Sequence, residues 1–434
     1  MSNLTIPRLY SELPFGTSNN RYLSAISIAD SPSADAFGRL RISVQTTQFD
    51  STLQYGKVTS KWGELASGAG ASSVHVPDES AINMTVGTAN GESVVRQTHK
   101  YFRYQPGKSQ LILQTGTLGP GLANVQCCIG YFNANNGVFF QKIGEAVSVV
   151  LRSHVSGTMT EEIVPQSAWN KDKLDGSGRS QVALDFTLSQ IFGIDMQWLG
   201  VGRVRMGIQV NGHFYYCHEF NNANKNPSSY MTTANLPLRY EIATIGPTSA
   251  PSTMKQICSS IASEGGTELA SGRFFSIGNK TNTISVTTQR PILTIRPSLI
   301  FNSLENRGYL LPLGLVIRGV TNDAYVEVIR NGVLGNAVFA AVSANNSIAE
   351  YDVAANTITG GEVIFNSYVS SGAGAISAID SKTIFPPDVI GGVLSNFSLS
   401  LNWDGTTQDT LSIVCTGIGG ASVLASAFNW VEIS

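Results

Sequence analysis

The sequence has few charged residues, and this shortage limits what the protein can be. Charged residues make up 13% of the 434 residues, about half of the usual quarter. A freely diffusing enzyme normally carries more surface charge, so we expect other subunits to cover much of the surface. The net charge of −2 gives no electrostatic reason to bind nucleic acid or a membrane.

Cysteines and long apolar runs are also scarce. The five cysteines are Cys127, Cys128, Cys217, Cys258 and Cys415. Their number is odd and their spacing fits no disulfide framework, so we expect buried free thiols and folding in a reducing cytoplasm. The N terminus shows no signal-peptide pattern and no apolar run reaches about 18 residues, so no membrane insertion is predicted.

Glycine (43 residues) and short alternating apolar segments are abundant. Candidate strands recur about every 8–12 residues with turn signals between them, which is typical of a sandwich or barrel. We therefore predict an all-β fold with two antiparallel β-sandwich, jelly-roll-like domains and an extended N-terminal arm. The predicted boundaries are 1–35 for the arm, 36–250 for a jelly-roll-like or lectin-like sandwich, 251–282 for a linker or edge strand, and 283–434 for the second sandwich.

The best-specified strand pair is centred on Asn211-Gly212, a signal for a two-residue type I′ turn. Counting outward from the turn gives one apolar face and one face that mixes aromatic and basic side chains. Such a face could stack bases, but the near-zero net charge favours a protein contact. The predicted interface residues are Arg203, Arg205, Phe214, Tyr216 and His218, with Arg39 and Arg41 on another predicted strand.

No pattern in the chain predicts catalysis, a metal or a cofactor. The five histidines form neither an HExxH motif nor a close ligand pair. The segment 170–176 faintly resembles a calcium loop, but Leu174 stands where a ligand should be. We therefore predict that the chain is not an enzyme. A carbohydrate-active enzyme stays open as a weaker alternative, because its two carboxylic acids can lie far apart in sequence.

A glycan site is a further alternative, since polar and aromatic residues share one predicted loop. Tyr230, Asn221, Asn222 and Asn224 could hold a sugar there, or could simply form a solvated loop. The glycine-rich stretches 66–73 and 370–377 lack the lysine of a phosphate-binding loop and are predicted to be flexible surface loops.

Five segments together resemble a group of tailed-bacteriophage virion proteins. They are DAFGRLRIS (35–43), RYQPGKSQLILQTG (103–116), IVPQSAWNKDKLDGSG (163–178), GIDMQWLGVGRVRMGIQVNGHFYYCHEFNNAN (193–224) and SAFNWVEIS (426–434). The resemblance implies a non-enzymatic structural protein of the particle, decorating the capsid or forming part of the tail, its fibres or its host-attachment apparatus. It carries over no functional residue.

The resemblance also implies a location and binding partners for the chain. We expect it to be made in the host cytoplasm and located in the virion, with other virion proteins as partners. We expect a homo-oligomer and favour a trimer. The alternative is a tail protein that binds a host receptor or surface glycan.

Overall fold

The computed structural model describes residues 43–266, 272–279, 284–319, 321–371, 377–380 and 398–433. The predicted arm and the predicted interface residues Arg39 and Arg41 lie outside these ranges. Within them the chain forms antiparallel strands and two short 3-10 helices. The predicted all-β fold with sandwich-like domains is confirmed. None of the helices in these ranges is long and apolar enough to cross a membrane.

The strands are short and follow one another closely. The first fifteen are β1 (Gln45–Ser51), β2 (Trp62–Ser67), β3 (Ser72–Val76), β4 (Ala81–Val86), β5 (Ser93–Thr98), β6 (Ser109–Thr117), β7 (Val125–Phe132), β8 (Gly137–Ile143), β9 (Ala146–Ser153), β10 (Thr160–Pro165), β11 (Gln190–Met196), β12 (Val204–Val210), β13 (His213–Phe220), β14 (Leu238–Thr244) and β15 (Ser252–Glu264). The 3-10 helices are Pro77–Glu79 and Gln166–Ala168.

The remaining strands follow after residue 272. They are β16 (Arg273–Gly278), β17 (Ile284–Val286), β18 (Arg290–Pro297), β19 (Ile300–Phe301), β20 (Leu304–Glu305), β21 (Tyr309–Gly319), β22 (Ala324–Arg330), β23 (Val333–Gly335), β24 (Ala340–Ala341), β25 (Ala349–Asp352), β26 (Thr357–Thr359), β27 (Glu362–Val369), β28 (Ser377–Asp380), β29 (Leu411–Gly417) and β30 (Ser422–Ile433).

Strands β1–β15 form the first sandwich. One sheet has the order β13-β12-β11-β6-β15-β4-β3, with β1 also paired to β15, and the other has the order β10-β9-β8-β7-β14-β5-β2. Successive side chains point to opposite faces of a strand, so every second residue enters the space between the sheets. Ile112, Ile129 and Tyr240 are among the fully buried residues there, and they belong to one continuous core.

The segment predicted as a linker or edge strand at 251–282 includes an interior strand. β15 pairs with β6 on one side and with β4 and then β1 on the other. Its burial alternates along most of its 13 residues. The prediction is therefore wrong for Ser252–Glu264, because the proline-rich stretch before it is a loop leading into the strand. Where the chain divides into domains stays a prediction.

Strands β16–β30 form the second sandwich. Its main sheets have the orders β16-β30-β21-β28, with β17 beside β30, and β24-β25-β18-β29-β22-β27. Ile295, Val326 and Phe428 are fully buried between them. The sequence has a second two-residue turn signal at Asn331-Gly332, which predicts a hairpin there. It does not join paired strands, because β22 pairs with β27 and β29 while β23 pairs with β26.

The cysteines lie mostly in the interior, as predicted. All five are free, and four of them are buried. Cys127 belongs to the sandwich core, whereas Cys128 belongs to a separate cluster on the opposite face of β7. Burial raises the pKa of the Cys127 thiol to about 12, so it stays protonated and unreactive near neutral pH.

Candidate interaction surfaces

The predicted hairpin of β12 and β13 is present, but a β-bulge changes which residues share a face. Counting outward from the Asn211-Gly212 turn predicts the pairs Ile208–Tyr215 and Met206–Cys217, and the first of these is present. Met206, in contrast, pairs with His218 instead of Cys217. The bulge gives β13 one extra residue, so the residues after it change faces relative to a regular alternation.

His218 is therefore not on the outer face of the sheet. It is 6% exposed, and its ring centroid lies 4.7 Å from that of Phe220. Its Nδ1 accepts a hydrogen bond from the backbone N–H of Asn170 at 3.3 Å. The prediction of His218 as an interface residue is wrong, because counting by twos does not anticipate a bulge. Glu219 takes the outward position and forms an ion pair with Lys171 at 2.9 Å.

The buried position of His218 makes a pH-dependent contribution to stability. Burial lowers the pKa of its imidazole from 6.5 to about 4. The unfolded chain binds this proton more readily, so stability should fall as the pH drops from 6.5 towards 4. We expect His218→Asn to flatten the melting temperature against pH in this window. The exposed His213 supplies the control, His213→Asn. An unchanged pH profile in His218→Asn would contradict the assignment.

The outer face of the hairpin is held together by an arginine, a carboxylate and a phenol. Arg205 forms an ion pair with Asp195 of β11, and its guanidinium lies 4.3 Å from the centroid of the Tyr216 ring. The Tyr216 hydroxyl donates a hydrogen bond to Asp195 Oδ2 at 3.1 Å. Burial and the Asp195 charge raise the pKa of Tyr216 to about 12. Arg205 and Tyr216, two of the predicted interface residues, therefore contact each other. Both also bind Asp195, which sequence analysis missed.

Phe214 completes this outer face by lying across two glycines. Gly193 and Gly207 are partners in adjacent strands, and an added Cβ would come within 2.3 Å of the Phe214 ring at Gly193 and 2.5 Å at Gly207. The ring also meets Tyr216 edge-on, with centroids 4.8 Å apart. The structure thus brings Arg205, Phe214 and Tyr216 together, while the Arg203 side chain is 50% exposed. A partner contact at this face stays a prediction.

The segment with a faint likeness to a calcium loop packs against the bulge. Asp172 accepts hydrogen bonds from the backbone N–H groups of Leu174 at 2.9 Å and Ser180 at 2.8 Å. Asp175 accepts one from the N–H of Ser177 at 2.9 Å. The carboxylates thus organise the loop backbone. Across the described ranges, no group of three or more His, Cys, Asp or Glu residues is placed to hold a metal ion.

Of the four loop residues proposed for a glycan, Asn221 and Asn224 are exposed, whereas the other two are buried. Tyr230 is 3% exposed and Asn222 is 5% exposed. The amide of Asn222 donates a hydrogen bond to the Gly202 carbonyl at 2.8 Å, and the backbone N–H of Tyr230 donates one to the Gly200 carbonyl at 2.8 Å. These two residues fix the loop, so they are not available to stack on or bind a sugar.

Sequence analysis missed an aromatic cluster on the outer face of the other sheet. Phe132 and Phe139 have exposures of 0%, although they belong to a cluster separate from the core. Their rings stack with centroids 4.3 Å apart, and the guanidinium of Arg152 lies 4.9 Å from the Phe139 centroid. Arg152 also pairs with Glu161 at 2.7 Å. Apolar residues at successive positions of β7 and β8 were the available signal, since that pattern is typical of strands buried on both faces.

A side-chain junction joins the first sandwich to the second. Trp403 lies against β2, and an added Cβ at Gly63 would be 2.2 Å from Trp403 Cδ1. The amide of Gln97 donates a hydrogen bond to the Trp403 carbonyl at 2.9 Å. The Arg307 guanidinium lies 4.1 Å from the centroid of the Tyr101 ring. Together these contacts fix one sandwich against the other.

Exposed apolar side chains remain on the edge strands. Each of the four main sheets, within the described ranges, has at least one such strand. The side chains and their exposures are Leu65 47%, Val74 54%, Ile163 50%, Phe274 76% and Val363 48%. Strand edges with unpaired backbone groups and exposed apolar residues are templates for pairing with another chain.

Comparison with known proteins gives weak likenesses only. No protein-family model and no curated protein matches the chain. It is similar to the CBM2 module of the evolved Dit of Lactobacillus casei BL23 phage J-1, with 4% identity, 52% of this chain and 100% of that chain covered, and a TM-score of 0.34. It is also similar to a beta-1,3-glucanase from Mycobacterium marinum, with 14% identity, coverages of 50% and 97%, and a TM-score of 0.31. The binding domain of botulinum neurotoxin serotype G shares 11% identity, with coverages of 57% and 56% and a TM-score of 0.31.

Proposed function

We propose that this chain is a non-enzymatic structural component of a bacteriophage particle that assembles as a homo-oligomer through its sheet edges. The observation that carries the proposal is the exposed apolar side chain on an edge strand of each main sheet. Monomeric sheet proteins usually protect such edges with charge, proline or a covering element. Burial against a neighbouring copy or another virion protein would provide that protection here.

Two further features support a building-block role. The junction at Gly63, Trp403 and Arg307 fixes the two sandwiches against each other. A partner contact made by one sandwich would therefore also fix the position of the other sandwich. The low charged fraction of 13% lowers the desolvation cost of covering large surfaces. The sequence resemblance to tailed-phage virion proteins supplies the class of particle, in the capsid or in the tail.

The edge-strand assembly can be tested on the full chain. We expect light scattering to give a molar mass above the 46.2 kDa monomer, with a trimer as the expected state. Phe274→Glu, Ile163→Glu and Val74→Glu each add a charge to one edge, and at least one of them should lower the molar mass at an unchanged melting temperature. Thr288→Glu, at an exposed turn residue, is the control. A wild-type chain that is monomeric at every concentration, or an oligomer that none of the three variants shifts, would contradict the proposal.

A further inference from the structure

The outer face of the second sandwich carries an exposed pair of tyrosines. Tyr325 of β22 pairs directly with Tyr368 of β27, so both rings leave the sheet on the same side. Their centroids are 5.2 Å apart and the rings are tilted by 51°. Tyr368 is 72% exposed, and it therefore offers a broad ring face to a ligand from solvent.

Polar groups lie beside the two rings on the same face. The next outward pair in the register is Glu327 opposite Asn366. The Glu327 carboxylate accepts a hydrogen bond from the Gln289 amide at 2.8 Å, and Thr416 is the neighbour of Tyr325 on β29. A carboxylate, two carboxamides and a hydroxyl thus surround the rings, which is a set of donors and acceptors suited to neighbouring hydroxyl groups.

Other strands cover the adjoining part of this face, whereas the part that carries the tyrosines is exposed to solvent. Ile329 and Val414 are buried there in a small cluster with Ile358 of β26, and Leu334 of β23 packs against them. The pair β23 and β26 therefore covers the apolar end of the face. The tyrosines lie beyond that cover, so their exposure is confined to the end that also carries the polar groups.

We propose that this Tyr325–Tyr368 face binds a neutral pyranose ring of a carbohydrate. The C–H bonds on one face of such a ring carry slight positive charge and would stack on the negative face of Tyr368. Its hydroxyls would bond to Glu327 and Asn366. Sites for small ligands commonly combine aromatic surface with a few placed polar groups.

The charge of this face selects the ligand class. Among the described residues Glu327 forms no ion pair with a lysine, an arginine or a histidine, so a phosphate or an acidic sugar would meet an uncompensated carboxylate. Stacking of nucleic-acid bases would also require a basic groove for the backbone. A neutral sugar needs no cation and uses both the ring and the polar groups. This inference goes beyond assembly and does not depend on it.

The test is binding of the full chain to an array of oligosaccharides ending in neutral hexoses or N-acetylhexosamines, with sialylated and phosphorylated glycans as acidic comparators. The strongest neutral binder is then titrated by calorimetry. We expect Tyr368→Ala to weaken binding by about tenfold or more, Tyr368→Phe to retain most of it, and Glu327→Gln to weaken it. Tyr55→Ala, at a tyrosine that is 92% exposed on the first sandwich, should leave it unchanged.

Molar mass and melting temperature are recorded for each variant. Wild-type binding to no neutral glycan, binding to acidic glycans only, or unchanged affinity in Tyr368→Ala would each overturn the proposal. A loss of oligomeric mass in Tyr368→Ala without any glycan binding would identify the face as a protein contact. That result would remove the sugar site and leave the assembly proposal standing. Monomeric chains that bind the sugar would support the sugar site and remove the assembly proposal.

Discussion

Replacing Arg96 with methionine is expected to lower the free energy of unfolding by about 1–3 kcal/mol, the usual cost of leaving a buried hydrogen-bond partner unsatisfied. Arg96 is 0% exposed and crosses the core of the first sandwich. Its Nε donates a hydrogen bond to Gln256 on the opposite sheet at 2.6 Å, Nη2 donates one to the Lys57 carbonyl at 2.7 Å, and Nη1 pairs with Glu64. Methionine fills similar volume but leaves all three acceptors without this donor.

The same variant should change the acid sensitivity of the fold. Burial raises the pKa of Glu64, but hydrogen bonds from Lys57 and Ser73 and the Arg96 charge outweigh it, so the pKa lies below its usual 4.5. A lowered carboxyl pKa adds stability above pH 4.5 that is lost as the pH falls below that value. Without Arg96, this acid-induced loss should shrink.

Urea denaturation at pH 7 and at pH 4 measures both effects. Arg318→Met, at an exposed arginine of β21, is the matched control and should change the unfolding free energy by less than about 0.5 kcal/mol. A loss below about 1 kcal/mol in Arg96→Met would mean that the hydrogen bonds of Arg96 to Gln256 and Lys57 do not stabilise the interior, and the assigned network would be wrong.

A valine at Gly63 is expected to separate the two sandwiches. The new Cβ would lie 2.2 Å from Trp403 Cδ1, and β2 has little room to retreat because it pairs along its length with β5. Trp403 must therefore leave, and the hydrogen bond from Gln97 to its carbonyl should be lost with it. We expect calorimetry to change from one cooperative unfolding transition to two, because the sandwiches would then unfold independently.

The control for this variant is on the same strand. Ala66→Val adds apolar volume at an exposed position of β2, away from Trp403, and should keep a single transition. Limited proteolysis supplies a second readout, since loosened halves expose the chain between them to cleavage. If Gly63→Val melts in one transition at the wild-type temperature, the junction does not couple the sandwiches.

Local patterns in the sequence predicted much of the strand content. Candidate strands that recur about every 8–12 residues with turn signals between them predicted an all-β chain, and the structure contains closely spaced strands. The Asn211-Gly212 turn likewise gave the correct pairing of Ile208 with Tyr215. These features depend on neighbours in the sequence, where turn chemistry and period act directly.

Features that depend on distant residues were not predictable from local patterns. The stretch 66–73, predicted as a flexible loop, is tied down by the buried Glu92 carboxylate, which accepts hydrogen bonds from the backbone N–H groups of Gly70 at 2.8 Å and Gly87 at 2.5 Å. An added Cβ at Gly68 would meet Glu92 at 2.5 Å. The glycines thus serve close packing around a buried charge, and no spacing rule connects them to that carboxylate.

The interaction surfaces were predictable only in part, for the same reason. Arg205, Phe214 and Tyr216 were identified because they share one strand pair, but Asp195, which holds two of them, comes from a third strand. The Tyr325 and Tyr368 pair was missed because its register spans strands that are far apart in the chain. Sequence periodicity gives the face of a residue, whereas strand order gives its neighbours.

The central claim is that this chain is building material of a phage particle. Electron microscopy of phage particles purified from a lysate that contains this chain, labelled with gold-conjugated antibody against it, tests the claim most directly. We predict label at fixed, symmetry-related positions on the capsid or the tail, in several copies per particle. Particles without label, with the chain found only in the unassembled fraction of the lysate, would contradict it.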